Sequence, residues 1–184
     1  MTTLNQSLHQ TSHQSPLMRK VKALGFANVE DLIQLAIKRG CHHFKNVLPP
    51  RLDSVEGIQE PGLEKLSQDE LVILLLHGNN RNEPIAIRCA AQLLKSKLIS
   101  PRRIAFLAIQ ERCETPLKYI AQYGAHHDLA DLDFWNIILN SLAGRGSRPP
   151  EAILPHPSRF MINPGLQRGT IQKPFWLTPQ ETRA

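Results

Sequence analysis

Leu71-Val72-Ile73-Leu74-Leu75-Leu76 is an unbroken apolar run, and Ile104-Ala105-Phe106-Leu107-Ala108-Ile109 repeats the pattern 33 positions later. Ser67-Gln68-Asp69-Glu70 precedes the first run and fits a capping box, in which the Ser hydroxyl and the Glu carboxylate each accept a hydrogen bond from an exposed backbone N–H of the opening turn. Ser100 precedes the second run at the same offset, and Asp133 lies a further 33 residues on, ahead of Ile137, Ile138 and Leu139. Six apolar residues in succession cover every side of a helix, so the 71–76 helix is expected at the centre of its domain. Repetition at this period marks helix hairpins that bury their faces on one another.

On the N-terminal side, Pro16 and Leu17 open a short helix that Gly25 closes. Asn28 then caps a second helix with an apolar stripe through Val29, Leu32, Ile33, Leu35, Ala36 and Ile37. Lys38 and Arg39 occupy its last turn, where the helix dipole favours cations, and Gly40 supplies the stop. Residues 41–66 hold Pro49, Pro50, Gly57, Pro61 and Gly62 without sustained periodicity and read as a linker or covering loop. On the C-terminal side, helix starts are expected at 82, 100, 115 and 133. Counted from 67 these are separated by 15, 18, 15 and 18 residues, the alternation of a two-helix unit. Pro84, Pro101 and Pro116 fit first turns, where the missing N–H has no partner to lose. The last helix is expected to run from about Asp133 to Gly144.

Thr115-Pro116-Leu117-Lys118-Tyr119-Ile120-Ala121 resembles the T-P-L-H-x-A signature of ankyrin repeats, a resemblance that implies partner recognition. Lys118 stands where the signature has His, and only Cys113 and Glu114 separate Thr115 from the preceding helix, leaving no room for the ankyrin hairpin loop. The segment therefore reads as a capped helix start. The expected fold class is all-α, with stacked helix hairpins in a HEAT-like array or irregular helical bundle and an extended Pro-rich C-terminal arm. The expected organisation is a flexible leader (1–15), a helical domain (16–144: helix pair 16–40, linker 41–66, hairpin array 67–144) and the arm (145–184).

Charge divides the chain in the same way. Residues 1–30 carry three basic side chains and one acidic, residues 31–144 carry 13 of each, and residues 145–184 carry six basic and two acidic, so the net +6 lies in the two ends. Segments that reach and reorganise would thus carry the attraction for an acidic partner. The arm holds seven of the fourteen prolines, which stop helix and sheet from propagating. It also holds spaced apolar anchors, Phe160, Ile162, Phe175 and Trp176 among them. The expectation is a non-catalytic protein–protein interaction module, a scaffold or adaptor subunit of a larger complex. Phe160, Ile162, Phe175 and Trp176 would bind a protein partner, Trp176 foremost because buried aromatics dominate interface energetics.

Arg102 and Arg103 join that partner-binding set, because they sit in a first helical turn, where the dipole disfavours cations, and residues that break a local rule are functional candidates. Arg81 and Arg88 would extend the patch. The alternative is nucleic-acid association, with Arg145, Arg148, Arg159, Arg168 and Lys173 meeting phosphates and Phe175 or Trp176 stacking on bases.

Cys41, Cys89 and Cys113 are odd in number and widely spaced, which excludes a disulfide framework and suggests a reducing, cytoplasmic setting. Cys89 falls in an apolar helical pattern and reads as a buried thiol. Cys41-His42-His43 and His126-His127-Asp128 are too closely spaced for convergent zinc ligands, so neither a metal site nor a cofactor is expected. No G-x-S-x-G, P-loop, H-E-x-x-H or G-x-G-x-x-G signature is present, and no apolar run approaches the about 20 residues of a membrane span.

Overall fold

The computed structural model describes residues 15–26, 28–42, 65–78, 83–146, 161–162, 166–167, 170–171 and 175–180. Among them are seven α-helices, as the periodicity predicts: α1 (Pro16–Ala23), α2 (Val29–Lys38), α3 (Gln68–Leu76), α4 (Pro84–Leu93), α5 (Pro101–Gln110), α6 (Glu114–His127) and α7 (Leu132–Ser141). Leader residues 1–14 and most of the 41–66 connection lie outside the described residues.

Local chemistry sets most of the helix ends. Ser67 Oγ accepts from Glu70 N while Glu70 Oε2 accepts from Ser67 N, the capping box expected for α3. Asn28 and Asp31 make the same reciprocal pair at α2. Ser15 and Ser100 cap α1 and α5, each with proline in the first turn. Three ends differ from expectation. Glu83 caps α4 in place of Asn82, accepting from Ile85 N. Glu114 opens α6 one residue before Thr115, behind a Cys113 that makes no side-chain cap bond. A 3₁₀ turn, Leu129–Asp131, leads into α7, which starts at Leu132 and stops at Ser141. Lys95 Nζ bonds both Asp128 and Asp131 there, holding the α6–α7 corner in a tight coil.

The core forms around α3. All six residues Leu71–Leu76 are buried, and the helix packs on α1, α2, α4 and α5. α4 packs along α3, where Ala86, Ala90 and Ala91 are fully buried and let the two axes approach closely. The echoing run in α5 has a different fate. Ile104, Ala105 and Ala108 are buried against α3, α6 and α7, while Phe106 is 58% exposed. At the C-terminal end, Met161–Ile162 pairs antiparallel with Phe175–Trp176, and Leu166–Gln167 with Thr170–Ile171.

Two carboxylates at the N-terminus of α3 respond oppositely to pH. Burial pushes the Asp69 carboxyl above its usual range, against the charge-favouring Ser100 N–H and Arg103 guanidinium. Burial acts the same way on Glu70, yet bonds from Lys20 and from the Ser67 N–H outweigh it and hold Glu70 below its usual range. A depressed carboxylate contributes stability above its unfolded-state pKa and loses it as pH falls through the folded-state value. The Lys20→Met variant is therefore expected to lose about 0.5–1 kcal/mol near pH 7, a half-exposed pair being screened by water. That difference from wild type should narrow as pH falls through the depressed folded-state pKa of Glu70 and close once Glu70 is protonated in both proteins. Urea midpoints measured across this range check the prediction; a difference independent of pH would contradict it.

Candidate functional site

Two separate stretches of chain converge beside the C-terminus of α2. Lys38 and Arg39 end that helix, and the turn between α4 and α5 brings Ser96, Lys97 and Leu98 to the same place. With Leu66 and Gln68 at the start of α3 and Pro179 near the end of the chain, they line an open cleft of about 680 Å³. Its volume falls within the about 300–1,000 Å³ usual for small-molecule pockets. None of the described residues lining it is acidic.

Arg39 is fixed in place. Its Nη2 donates to Leu66 O at 2.6 Å and its Nη1 to Gln68 Oε1 at 3.3 Å. Burial lowers its pKa, and the nearby Glu70 charge opposes that shift. Lys38 and Lys97 are exposed, and Leu98 holds its apolar side chain 74% in water. The cleft thus offers one oriented guanidinium and two exposed ammonium groups beside the apolar Leu66, Leu98 and Pro179.

Its fourth wall comes from the C-terminal segment, which is tied to the body by backbone bonds. Gln180 N donates to Gly40 O at 3.1 Å, and Gln92 Nε2 donates to Thr178 O at 2.9 Å. Gly40 has φ +110°, and a Cβ there would lie 2.7 Å from Gln180 O, so glycine is required both for the turn and for the close approach. Trp176 fastens the segment. Its indole is buried, Nε1 donates to Ala91 O at 3.0 Å, and its ring lies 5.1 Å from that of Trp135 and 6.1 Å from that of Tyr123.

This placement reassigns Trp176. The apolar anchor expected to enter a partner fills a slot in the chain's own core, because α4, α6 and α7 leave an aromatic-sized gap that closer sequence neighbours do not reach. The other expected contacts vary. Phe160 lies outside the described residues, and of Ile162 and Phe175 only the backbone is described. Arg102 is exposed in the first turn of α5. Arg103 Nε lies 3.5 Å from Asp69 Oδ2, so its unfavourable place in the helix dipole is offset by a buried carboxylate. Arg81 is outside the described residues, which leaves the wider patch undescribed. Of the nucleic-acid set, Arg145 is exposed, while Arg148, Arg159, Arg168 and Lys173 are outside them.

His43 of the first histidine cluster lies outside the described residues, and among those described no group of three His, Cys, Asp or Glu side chains has metal-binding geometry. His127 stacks on Tyr123, and Asp128 accepts from Lys95 and from Trp135 Nε1. Cys41, Cys89 and Cys113 form no disulfide and are buried; Cys41 Sγ lies against Cys89 O, and the neighbouring Cys89 side chain together with burial pushes the Cys41 thiol strongly up. No described helix is long and apolar enough to cross a membrane.

The cleft residues were not among the candidates drawn from sequence. Lys38 and Arg39 read there as dipole-matched cations, and the one available signal was an apolar Leu98 inside a turn. Comparison with protein-family models, with curated proteins and with solved structures returns no match.

Proposed function

We propose that the chain is a non-catalytic protein-interaction module, a scaffold or adaptor subunit of a larger assembly, built from stacked helix hairpins. Contacts between neighbouring and next-neighbouring helices support the stacked reading. The observation that carries the functional reading is the cleft. An oriented guanidinium, two exposed ammonium groups and an exposed leucine line one concavity, and among its described lining residues there is no carboxylate, thiol or imidazole to act as base or nucleophile. That arrangement suits holding a ligand. The helical body is then the docking surface, since Trp176 is already engaged within the chain.

Leu98→Asp tests this reading. The side chain is largely in water, so the fold should change by less than about 0.5 kcal/mol. A tagged full-length protein is expected to retain a specific partner through nuclease treatment, and the L98D form to lose it. Capture that nuclease abolishes would instead favour the nucleic-acid alternative, and capture indifferent to L98D would remove the cleft from the interface.

A further inference from the structure

The four large apolar side chains that stand exposed among the described residues lie on elements that meet at one end of the helical stack. Leu98 sits in the turn before α5, Phe106 on the second turn of α5, and Leu129 and Leu132 in the corner that leads into α7, with Leu129 72% in water. Two contacts draw these elements together. α5 packs along α7, and Lys95 Nζ, three residues before Leu98, donates to Asp128 Oδ2 at 2.6 Å and also bonds Asp131. Apolar area left in water costs free energy in proportion to its extent, and gathering it at one end of a body marks a contact surface.

The charges beside these side chains have two signs. Arg102 and Arg103 stand exposed in the first turn of α5, while Asp131 and Asp133 stand exposed on either side of Leu132 at the opening of α7. Arg103 is tied to Asp69 and Asp131 to Lys95 within the chain, so Arg102 and Asp133 are the pair to reverse. A surface of one sign calls for a partner of the other sign. A surface with both signs flanking apolar side chains is complementary to itself, because a two-fold rotation sets the cationic edge of one copy on the acidic edge of the other.

We propose that the α5–α7 end of the stack is a two-fold contact surface for a second copy of this chain. Phe106, Leu129 and Leu132 of both copies meet at its centre, and Arg102 of each copy faces Asp133 of the other. This goes beyond the interaction-module reading. Leu98, which also lines the cleft, is left unchanged in the test, so failure here and failure of that reading are separate results.

Sedimentation velocity of the full-length protein over a range of concentration tests the proposal. Wild type is expected to pass from monomer to dimer as concentration rises. Phe106→Ser combined with Leu129→Ser changes two exposed side chains, and is expected to weaken self-association roughly tenfold with unchanged circular dichroism. Arg102→Asp and Asp133→Arg should each weaken it by a similar factor, since each homodimer then opposes like charges twice. An equimolar mixture of those two variants should recover association. In the mixed dimer the carboxylate introduced at position 102 of one copy faces the guanidinium introduced at position 133 of the other, and the second contact is the native one; native mass spectrometry identifies this species. A wild type that stays monomeric at the highest concentration reached overturns the proposal. So does a dimer indifferent to the apolar double variant, or a mixture of the two reversed forms that associates no better than either alone.

Discussion

Replacing Trp176 with alanine is expected to lower the unfolding free energy by about 3–5 kcal/mol, the cost of emptying a buried aromatic site. The indole is 5% exposed, packs against Trp135 and satisfies the Ala91 carbonyl, so the truncation opens a cavity and orphans a backbone acceptor together. Denaturant midpoints and near-UV circular dichroism report it directly. A partner-anchoring Trp176 predicts the opposite pattern, with stability changed by less than about 0.5 kcal/mol and only capture lost. Loss of stability in W176A, with partial recovery in Trp176→Phe, would establish that the C-terminal segment closes the core.

The second large effect is expected at Gly124, inside α6. A Cβ at this position would sit 2.4 Å from Trp135 Cε2 and 2.5 Å from Cδ2, so the rigid ring system must move as a whole. Helix propensity acts the other way, favouring Ala over Gly by about 1 kcal/mol in a helix interior. Gly124→Ala is nevertheless expected to destabilise by about 3 kcal/mol, the upper part of the overpacking range. Because propensity alone would stabilise, the sign of the change is diagnostic. In a Trp135→Leu background the same substitution should cost much less, and a double-mutant cycle by urea denaturation measures the coupling. Additive changes would mean that Gly124 and Trp135 do not meet.

These two sites show where reading the chain in one dimension stops. Ser67 with Glu70, Asn28, and Ser100 ahead of Pro101 act over three or four residues, and all of them form the ends they predict. Gly124 left no such trace, since nothing near it in the chain announces an indole from the next helix. Arg103 looked like a functional irregularity in α5, and its explanation is Asp69, 34 residues away, buried at the start of α3. The cleft was equally hidden. Lys38 and Arg39 satisfied a local rule and so drew no notice, while Lys97, Leu98 and Pro179 become their neighbours only when the helices stack.

The amino-acid order alone established the helices, the caps at Asn28, Ser67 and Ser100 and the central position of the 71–76 segment, because hydrogen-bonding partners within one turn and an apolar circumference act locally. Packing decided the rest. Two six-residue runs of matching pattern met different surroundings: Leu71–Leu76 is enclosed by four helices, whereas α5 turns Phe106 to water. Trp176, apolar and distant in the chain, went to the vacancy that α4, α6 and α7 left, since burial energy depends on which surface is unfilled and carries no record of where the side chain sits in the sequence.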